Sequence, residues 1–265
     1  MDKEVTILIP SFNSGIYLRE AIESVFNQTY PYWKIILVDD ASTDDSLSHA
    51  ADLLEDQRIT LIKNNKNVGQ SMSQNIGLER INTEFFMQLD ADDWLPENTL
   101  DLLMDAARNL PEEVALIVGN VIEVTENRKR KRKRYRYVSN EWDNIQQEKY
   151  ELLLSNYIPW PKFYRTSLIK KMGGWAFNDP FKGRHAEDLR MFLRLIEEYR
   201  FYYIPQTILY YRIHARNSTH QKDVYKEAVE WIVRDALHRW GNEYEPVFKK
   251  IRGGWRVVKK LKRIE

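Results

Sequence analysis

The chain has 265 residues, 43% hydrophobic and 12% aromatic, which is enough apolar material for a buried core and too much for a disordered chain. Forty basic and 39 acidic residues leave a net charge of +1, so bulk charge names no partner. Disulfides, thiolate metal sites and a cysteine nucleophile are excluded because the sequence has no cysteine. The length fits one domain, or one domain with an appendage. Met1-Asp2-Lys3-Glu4 lacks the apolar stretch of a signal peptide, and no apolar run approaches the ~18 residues of a membrane span. The expected setting is cytoplasmic, with or without peripheral contact at the inner face of a membrane.

In chain order, Val5 to Ile9, Lys34 to Val38, Ile59 to Ile62, Glu84 to Leu89 and Val114 to Val118 read as strands. Leu18, Ile22, Val25 and Phe26 recur at helical spacing between the first two. Ser42, Thr43 and Asp44 offer a cap for a helix through Leu47, Leu53 and Leu54, and Leu100, Leu103 and Ala107 line another. This alternation predicts an α/β fold, a mostly parallel sheet with helices on both faces. Past Gly119 the pattern changes. Asn120 to Thr125 and Arg132 to Val138 predict a hairpin turning near Glu126-Asn127. Arg128 to Arg136 packs eight basic residues around Tyr135. With only Tyr135 and Tyr137 nearby for stacking, the run reads as a solvated hairpin or a patch for an anionic substrate, with no nucleic-acid partner. A helix opens at Asp188, with Leu189, Phe192, Leu193 and Ile196 on its inner face. Val224 to Trp240 and Pro246 to Ile264 read as helical.

The chemistry concentrates at strand ends. Leu89-Asp90-Ala91-Asp92-Asp93-Trp94 follows an apolar run, and ligands of α/β sheets bind at the carboxyl edge of the strands. Three acids in four positions repel one another unless a cation or solvent compensates. A divalent cation held by carboxylates and substrate phosphate is one reading. An acidic turn in which Asp93 or a neighbour caps the helix opening near Pro96 is the other. Pro10-Ser11-Phe12-Asn13 ends the first strand and Asp39-Asp40-Ala41-Ser42-Thr43-Asp44 the second, on the same edge if the strands are parallel. No Gly-x-Gly-x-x-Gly follows the first strand and no P-loop pattern occurs, so hydride transfer on a Rossmann scaffold and P-loop phosphoryl transfer lose support.

Five segments in order, Val5 to Asn13, Val38 to Asp44, Asn67-Val68-Gly69 with Asn75-Ile76-Gly77, Asp90 to Asp93, and Glu187-Asp188, resemble family 2 glycosyltransferases from about residue 4 to about residue 220. The resemblance implies a GT-A fold and inverting transfer of a sugar from a nucleotide diphosphate donor, usually UDP-linked, to an acceptor hydroxyl in polysaccharide or glycoconjugate synthesis at the cell surface. Residues 1–220 would then be the catalytic domain. Within it, 1–118 would form the nucleotide-binding half and 119–220 the acceptor-binding half; 221–265 would be a basic helical extension. By the same resemblance Pro10, Phe12 and Asn13 look like the base and ribose pocket, and Asp40 like the carboxylate that reads the uracil N3–H. Asp90, with Ala91, would sit by the ribose or a metal-bound water. Asp92 looks like the direct Mn²⁺ or Mg²⁺ ligand, and His214 resembles a residue that in some relatives meets the metal or diphosphate. Asp188 aligns with the general base and Glu187 with a residue positioning acceptor or donor sugar.

Other readings stay open. Glu187-Asp188 also suits the first turn of any helix, His214 a hydrogen-bonded structural histidine, and His185 a structural or acceptor-facing one. Many relatives carry a basic residue at Gln74 and a glycine at Thr83; Lys162 and Arg184 are candidates to supply the missing positive charge. A catalytically silent nucleotide-sugar or glycan-binding module is the alternative to an enzyme. The expected partners are the nucleotide-sugar and a glycan or lipid-linked acceptor. Lys249 to Glu265 holds eight basic residues and one acid, and a helix there would align Trp255, Val258 and Leu261 beside lysines. That composition suits a helix lying on anionic lipid, or one packed on the domain or a second subunit.

Overall fold

The computed structural model describes residues 3–125, 131–134, 145–156, 162–215, 217, 222–251 and 256–265. Its spine is an eight-stranded sheet of β1 (Val5–Ser11), β2 (Trp33–Asp39), β3 (Ile59–Lys63), β4 (Phe85–Gln88), β5 (Val114–Thr125), β6 (Lys131–Arg134), β7 (Lys162–Arg165) and β8 (Arg200–Ile213). The order is β3-β2-β1-β4-β7-β5-β6, with β8 added on β5. β3, β2, β1 and β4 run parallel. β7 is antiparallel to both β4 and β5, β6 is antiparallel to β5, and β8 is parallel to it.

All seven residues of β1 are buried, as a strand covered on both faces requires. Val5, Ile7 and Ile9 face α1 (Tyr17–Phe26) and α4 (Thr99–Ala107) in one apolar cluster. Leu8 faces α3 (Gln70–Arg80) in the other. Each such side chain contributes ~1.5–3 kcal/mol by leaving water. Its polar members are satisfied, Thr6 by Thr83 at 2.7 Å and Ser11 by Ser14 at 3.2 Å. α3 packs so closely that a Cβ on Gly77 would lie 2.2 Å from Leu8 Cδ1, which is why a glycine stands there.

Three expectations need correction. The helix read through Leu47, Leu53 and Leu54 is a single turn, α2 (Ser46–His49), followed by a 3₁₀ turn at Leu53–Glu55. Arg19 takes the His49 carbonyl at 2.9 Å and pairs with Asp52, ending the helix between them. Residues 118 and 119 mark no boundary, because β5 runs straight through them. The segment from Pro246 to Ile264 is not helical. β9 (Tyr244–Lys250) and β10 (Arg256–Arg263) form an antiparallel pair after α8 (Lys222–Arg239). Pro246 has no N–H for a helix interior, and β-branched Val247, Val257 and Val258 favour the extended chain. Phe248 and Val258 sit opposite each other and join the core containing Ile232 and Ala236 of α8, so 221–265 shares the domain's core.

The remaining helices are α5 (Ile145–Ser155), α6 (Thr166–Lys171) and α7 (Glu187–Leu195). Of the basic run, only 131–134 is described; it pairs with β5 as the expected hairpin requires. The Glu126-Asn127 turn and Trp255 of the expected terminal helix lie outside the described residues.

Candidate active site

β1, β2 and β4 are parallel, so their carboxyl ends deliver residues 10–14, 39–45 and 89–94 to one edge. Asn13, in the left-handed region at φ 51°, is a bracket between two loops. Its side-chain oxygen accepts the Thr43 N–H at 2.8 Å, and its own N–H donates to Ser42 Oγ at 3.0 Å. Pro10 is buried beneath it in β1, whereas Phe12 stands 48% exposed at the rim, free to stack on a planar ligand.

Asp40 is buried and largely occupied. Its Oδ1 accepts from Asn64 Nδ2 and Val68 N, its Oδ2 from Gly69 N, each at 2.8 Å. Of about four lone-pair positions on a carboxylate, one on Oδ2 remains for a ligand. Asp39 next to it has a buried Oδ1 with no partner among the described residues, while Ser42 N approaches its Oδ2 at 3.3 Å. The Asp40 bonds fix the Asn67-Val68-Gly69 loop, where Gly69 adopts φ 92°. Arg184 lies against that glycine and donates to Asn67 Oδ1 at 2.5 Å. Asn75 holds Trp175 through two 2.8 Å bonds, a packing role. Gln74 is fully buried with neither amide atom partnered among the described residues.

The acidic turn is clamped by β8. Trp94 and Tyr210 exchange backbone hydrogen bonds and stack at 5.2 Å. Asp93 does not cap α4. Its Oδ1 accepts the Arg212 N–H at 2.8 Å, and the residue before α4, Asn98, makes no side-chain cap bond. Burial, then the charges of Asp92 and Asp90, push the Asp93 carboxyl well above the usual range. Ala91 is buried with Leu89 and Leu95, so only its backbone is available to a ligand. The Arg212 guanidinium lies between the Tyr17 and Trp94 rings and donates to the Asp92 carbonyl at 2.8 Å. β8 thereby carries His214 to Asp92, Nε2 to Oδ2 2.9 Å, with its ring against Tyr17 at 4.9 Å. Asn217 supports both, accepting the His214 N–H at 2.6 Å and approaching Asp92 at 3.4 Å. Among the described residues no third His, Asp or Glu joins them. One carboxylate and one imidazole fit Mn²⁺ or Mg²⁺ whose other positions come from a diphosphate and water.

The second half of the site comes from α7. Ala186 precedes it at φ 51°, and Glu187 and Asp188 fill its first turn, where the helix dipole favours carboxylates. Asp188 Oδ1 accepts the Leu189 N–H at 2.7 Å, and its Oδ2 lies 3.4 Å from Lys162 Nζ. That ammonium, on a side chain only 4% exposed, is also 3.2 Å from Asp90 Oδ2. Gln88 opposite Lys162 in the β4–β7 ladder donates to Asp90 Oδ1 at 3.0 Å. Burial disfavours the lysine's charge, but Asp90, Asp188 and Glu187 more than offset it, and its pKa lies well above the usual value. Burial, then Asp188, pushes the Glu187 carboxyl up to about 8. His185 goes the other way: burial, then Arg184, keeps its pKa low.

The structure thus brings together Asp92 with His214, and Asp90 with Asp188 through Lys162. It assigns Asn13 and most of Asp40 to holding loops. Sequence reasoning missed Tyr17, Arg212 and Asn217. Their one visible signal was Tyr211-Arg212-Ile213-His214, whose place beside the acidic turn depends on a strand 14 residues long that alternation did not reveal.

The glycosyl transferase family 2 model matches residues 6–173. A glycosyltransferase of Haemophilus influenzae is 40% identical over 224 residues, covering 81% of this chain and 67% of that protein. The Campylobacter jejuni GalNAc(5)-diNAcBac-PP-undecaprenol β-1,3-glucosyltransferase is 30% identical, covering 81% and 66%. Among solved structures, residues 1–349 of Staphylococcus aureus TarS with UDP-GlcNAc superpose with a TM-score of 0.66 at 17% identity, covering 88% of this chain and 66% of that one. The chain spans about two thirds of the length of each. Its sheet and helices are those of a GT-A fold. By sequence and architecture, the chain belongs to glycosyl transferase family 2.

Proposed function

We propose that this chain is a metal-dependent, inverting glycosyltransferase that moves a sugar from a UDP-linked donor to an acceptor hydroxyl on a glycan or lipid-linked glycan, in the synthesis of cell-surface polysaccharide or glycoconjugate. The observation that carries the reading is that one buried ammonium, Lys162, touches both Asp90, two residues from Asp92, and Asp188. A candidate base therefore stands beside a candidate diphosphate site.

In this reading Phe12 stacks on the base, and the free position on Asp40 Oδ2, or the unpartnered Asp39 Oδ1, accepts the N3–H. Asp92 and His214 hold Mn²⁺ or Mg²⁺, which supplies charge stabilisation for the departing diphosphate. Asp188 takes the acceptor hydroxyl proton as that oxygen forms its bond to the anomeric carbon and the bond to the diphosphate breaks, inverting the centre. Lys162, 3.4 Å away, keeps Asp188 aimed, and neutral Glu187 donates a hydrogen bond to a sugar hydroxyl. Localisation on the cytoplasmic side, where nucleotide-sugars would be consumed, accords with there being no described helix long and apolar enough to cross a membrane.

A panel of UDP-, dTDP- and GDP-sugars scored by thermal shift with Mn²⁺, followed by donor turnover with and without chelator, tests this reading. Ligand binding raises the melting temperature by mass action. Stabilisation by UDP-sugars and turnover that stops in chelator are expected. Preference for a GDP-sugar would overturn the donor, and full turnover in chelator would overturn the metal.

A further inference from the structure

The β9–β10 hairpin carries a strong excess of positive charge. From Pro246 to Arg263 it has eight basic residues and no acid, against 32 basic and 39 acidic residues in the rest of the sequence. Its two faces differ. Phe248 and Val258 are cross-strand partners and both pack on the core, so the neighbouring pairs Lys249–Val257, Val247–Lys260 and Glu245–Lys262 lie on the opposite, outer face. Lys249, Lys260 and Lys262 are exposed there, and Val247 and Val257 are half-buried among them. Ile251, at the end of β9, is 42% exposed.

The hairpin also has a direction. Tyr244 starts β9 beside Tyr150, whose ring meets Trp240 at the end of α8. Arg234, further back along α8, lies over Phe248. At the first turn of α8, Lys226 and after it Lys250 hold the Asp223 carboxyl below its usual range. β9 therefore runs back along α8 from its Trp240 end toward its first turn.

We propose that the outer face of the β9–β10 hairpin docks on a bilayer containing anionic phospholipid. Exposed lysines interleaved with aliphatic side chains match the two attractions such a surface offers, headgroup charge and a shallow apolar layer. Glu245 is the only acid on the outer face, at the end away from the tip. Two hydrogen bonds from the Asn156 side chain to the Val258 backbone, at 2.6 and 3.0 Å, fix the hairpin to the domain, so docking would orient the whole molecule.

The test is co-sedimentation of the full chain, without donor, on phosphatidylcholine vesicles with and without a quarter phosphatidylglycerol. Binding should require phosphatidylglycerol and weaken in 1 M salt, where charges are screened beyond ~3 Å. A lysine near an anionic surface contributes about a fivefold factor, so K249Q/K260Q/K262Q should bind about 100-fold more weakly. The three positions are exposed, and an unchanged melting temperature and UDP-induced shift should confirm that the variant is folded. If it does not fold, the single exchange K260Q, expected to weaken binding about fivefold, takes its place. The run Arg128–Arg136 is intact in both variants, so equal binding by variant and wild type would overturn the proposal. So would equal binding to pure phosphatidylcholine, or capture by soluble polyphosphate with the vesicles ignored. Because no donor is present, failure here leaves the catalytic reading standing, and failure of catalysis leaves this one standing.

Discussion

His214 Nε2 and Asp92 Oδ2 are 2.9 Å apart although 122 positions separate them in sequence. The approach is made by β8, whose Arg212 accepts no freedom at all: its N–H goes to Asp93, its guanidinium to the Asp92 carbonyl and to Glu20, and its plane between two rings. If the pair holds the divalent ion, Asp92→Asn should abolish donor turnover with the fold intact. His214→Ala should retain turnover only at raised Mn²⁺, since a donor diphosphate and Asp92 remain as ligands. Turnover titrated against Mn²⁺ checks both; a His214→Ala curve that overlays the wild type would remove the histidine from the metal.

Asp188 separates chemistry from binding. Asp188→Asn should lower kcat by ~10²–10⁴, the range of a general base. UDP affinity should hardly change, because the bonds of this side chain go to Leu189 N and Lys162 rather than directly to β1, β2 or the acidic turn. Steady-state kinetics with calorimetric UDP binding measure the two quantities. A variant that loses UDP but keeps kcat at saturating donor would contradict the assignment.

How much of this was legible in the sequence depends on the range of the interaction. Strand-helix alternation in residues 5–107 is local, and the four parallel strands β1 to β4 and the Asp90–Asp93 turn follow from period and apolar runs. Lys162 was visible only as spare charge. Its partners are set by the β4–β7 register, which pairs it with Gln88, and no pattern within one strand encodes which strand lies beside it. Asp40 shows the converse. Sequence marks it for a ligand, but the folded loop gives three of its positions to Asn64, Val68 and Gly69. The tail failed for a third reason. Trp255, Val258 and Leu261 recur at three-residue spacing, while Phe248 with Val258 and Pro246 with Leu261 pair across a hairpin; the spacing is compatible with both, and the core contacts decide.

That division of Asp40's bonds makes a prediction about stability. Asp40→Ala should lower the melting temperature of the ligand-free protein, because two backbone N–H groups and an amide lose a buried acceptor at ~1–3 kcal/mol. Phe12→Ala, at an exposed rim position, should leave the melting temperature alone and weaken UDP by ~1–3 kcal/mol, the scale of base–aromatic stacking. Thermal melts and UDP titrations of the two variants distinguish a loop anchor from a ligand contact. Equal melting temperatures for Asp40→Ala and wild type would make Asp40 a ligand group alone.

The Lys162 triad predicts a pH dependence whose sign can be worked out. Glu187 has its pKa raised to about 8 in the fold, against 4.5 for the free side chain. Between those values the native state holds a proton that the unfolded chain has released, so stability is full below ~4.5 and falls as pH rises toward 8. Glu187→Gln keeps the neutral shape and should flatten that slope. Lys162 runs over a different window. Its raised pKa means its contribution is complete below the free value of 10.5 and is lost only as pH climbs through the folded one. Lys162→Met removes the ammonium and leaves Asp90, Asp188 and Glu187 facing one another. It should cost ~3 kcal/mol at neutral pH, the penalty for breaking a buried pair. Part of that loss should return on acidification, as the carboxyls take up protons. Urea unfolding of wild type, Glu187→Gln and Lys162→Met from pH 5 to 9 measures these slopes. A Lys162→Met protein as stable as wild type across that range would show that the lysine does not hold the two halves of the site together.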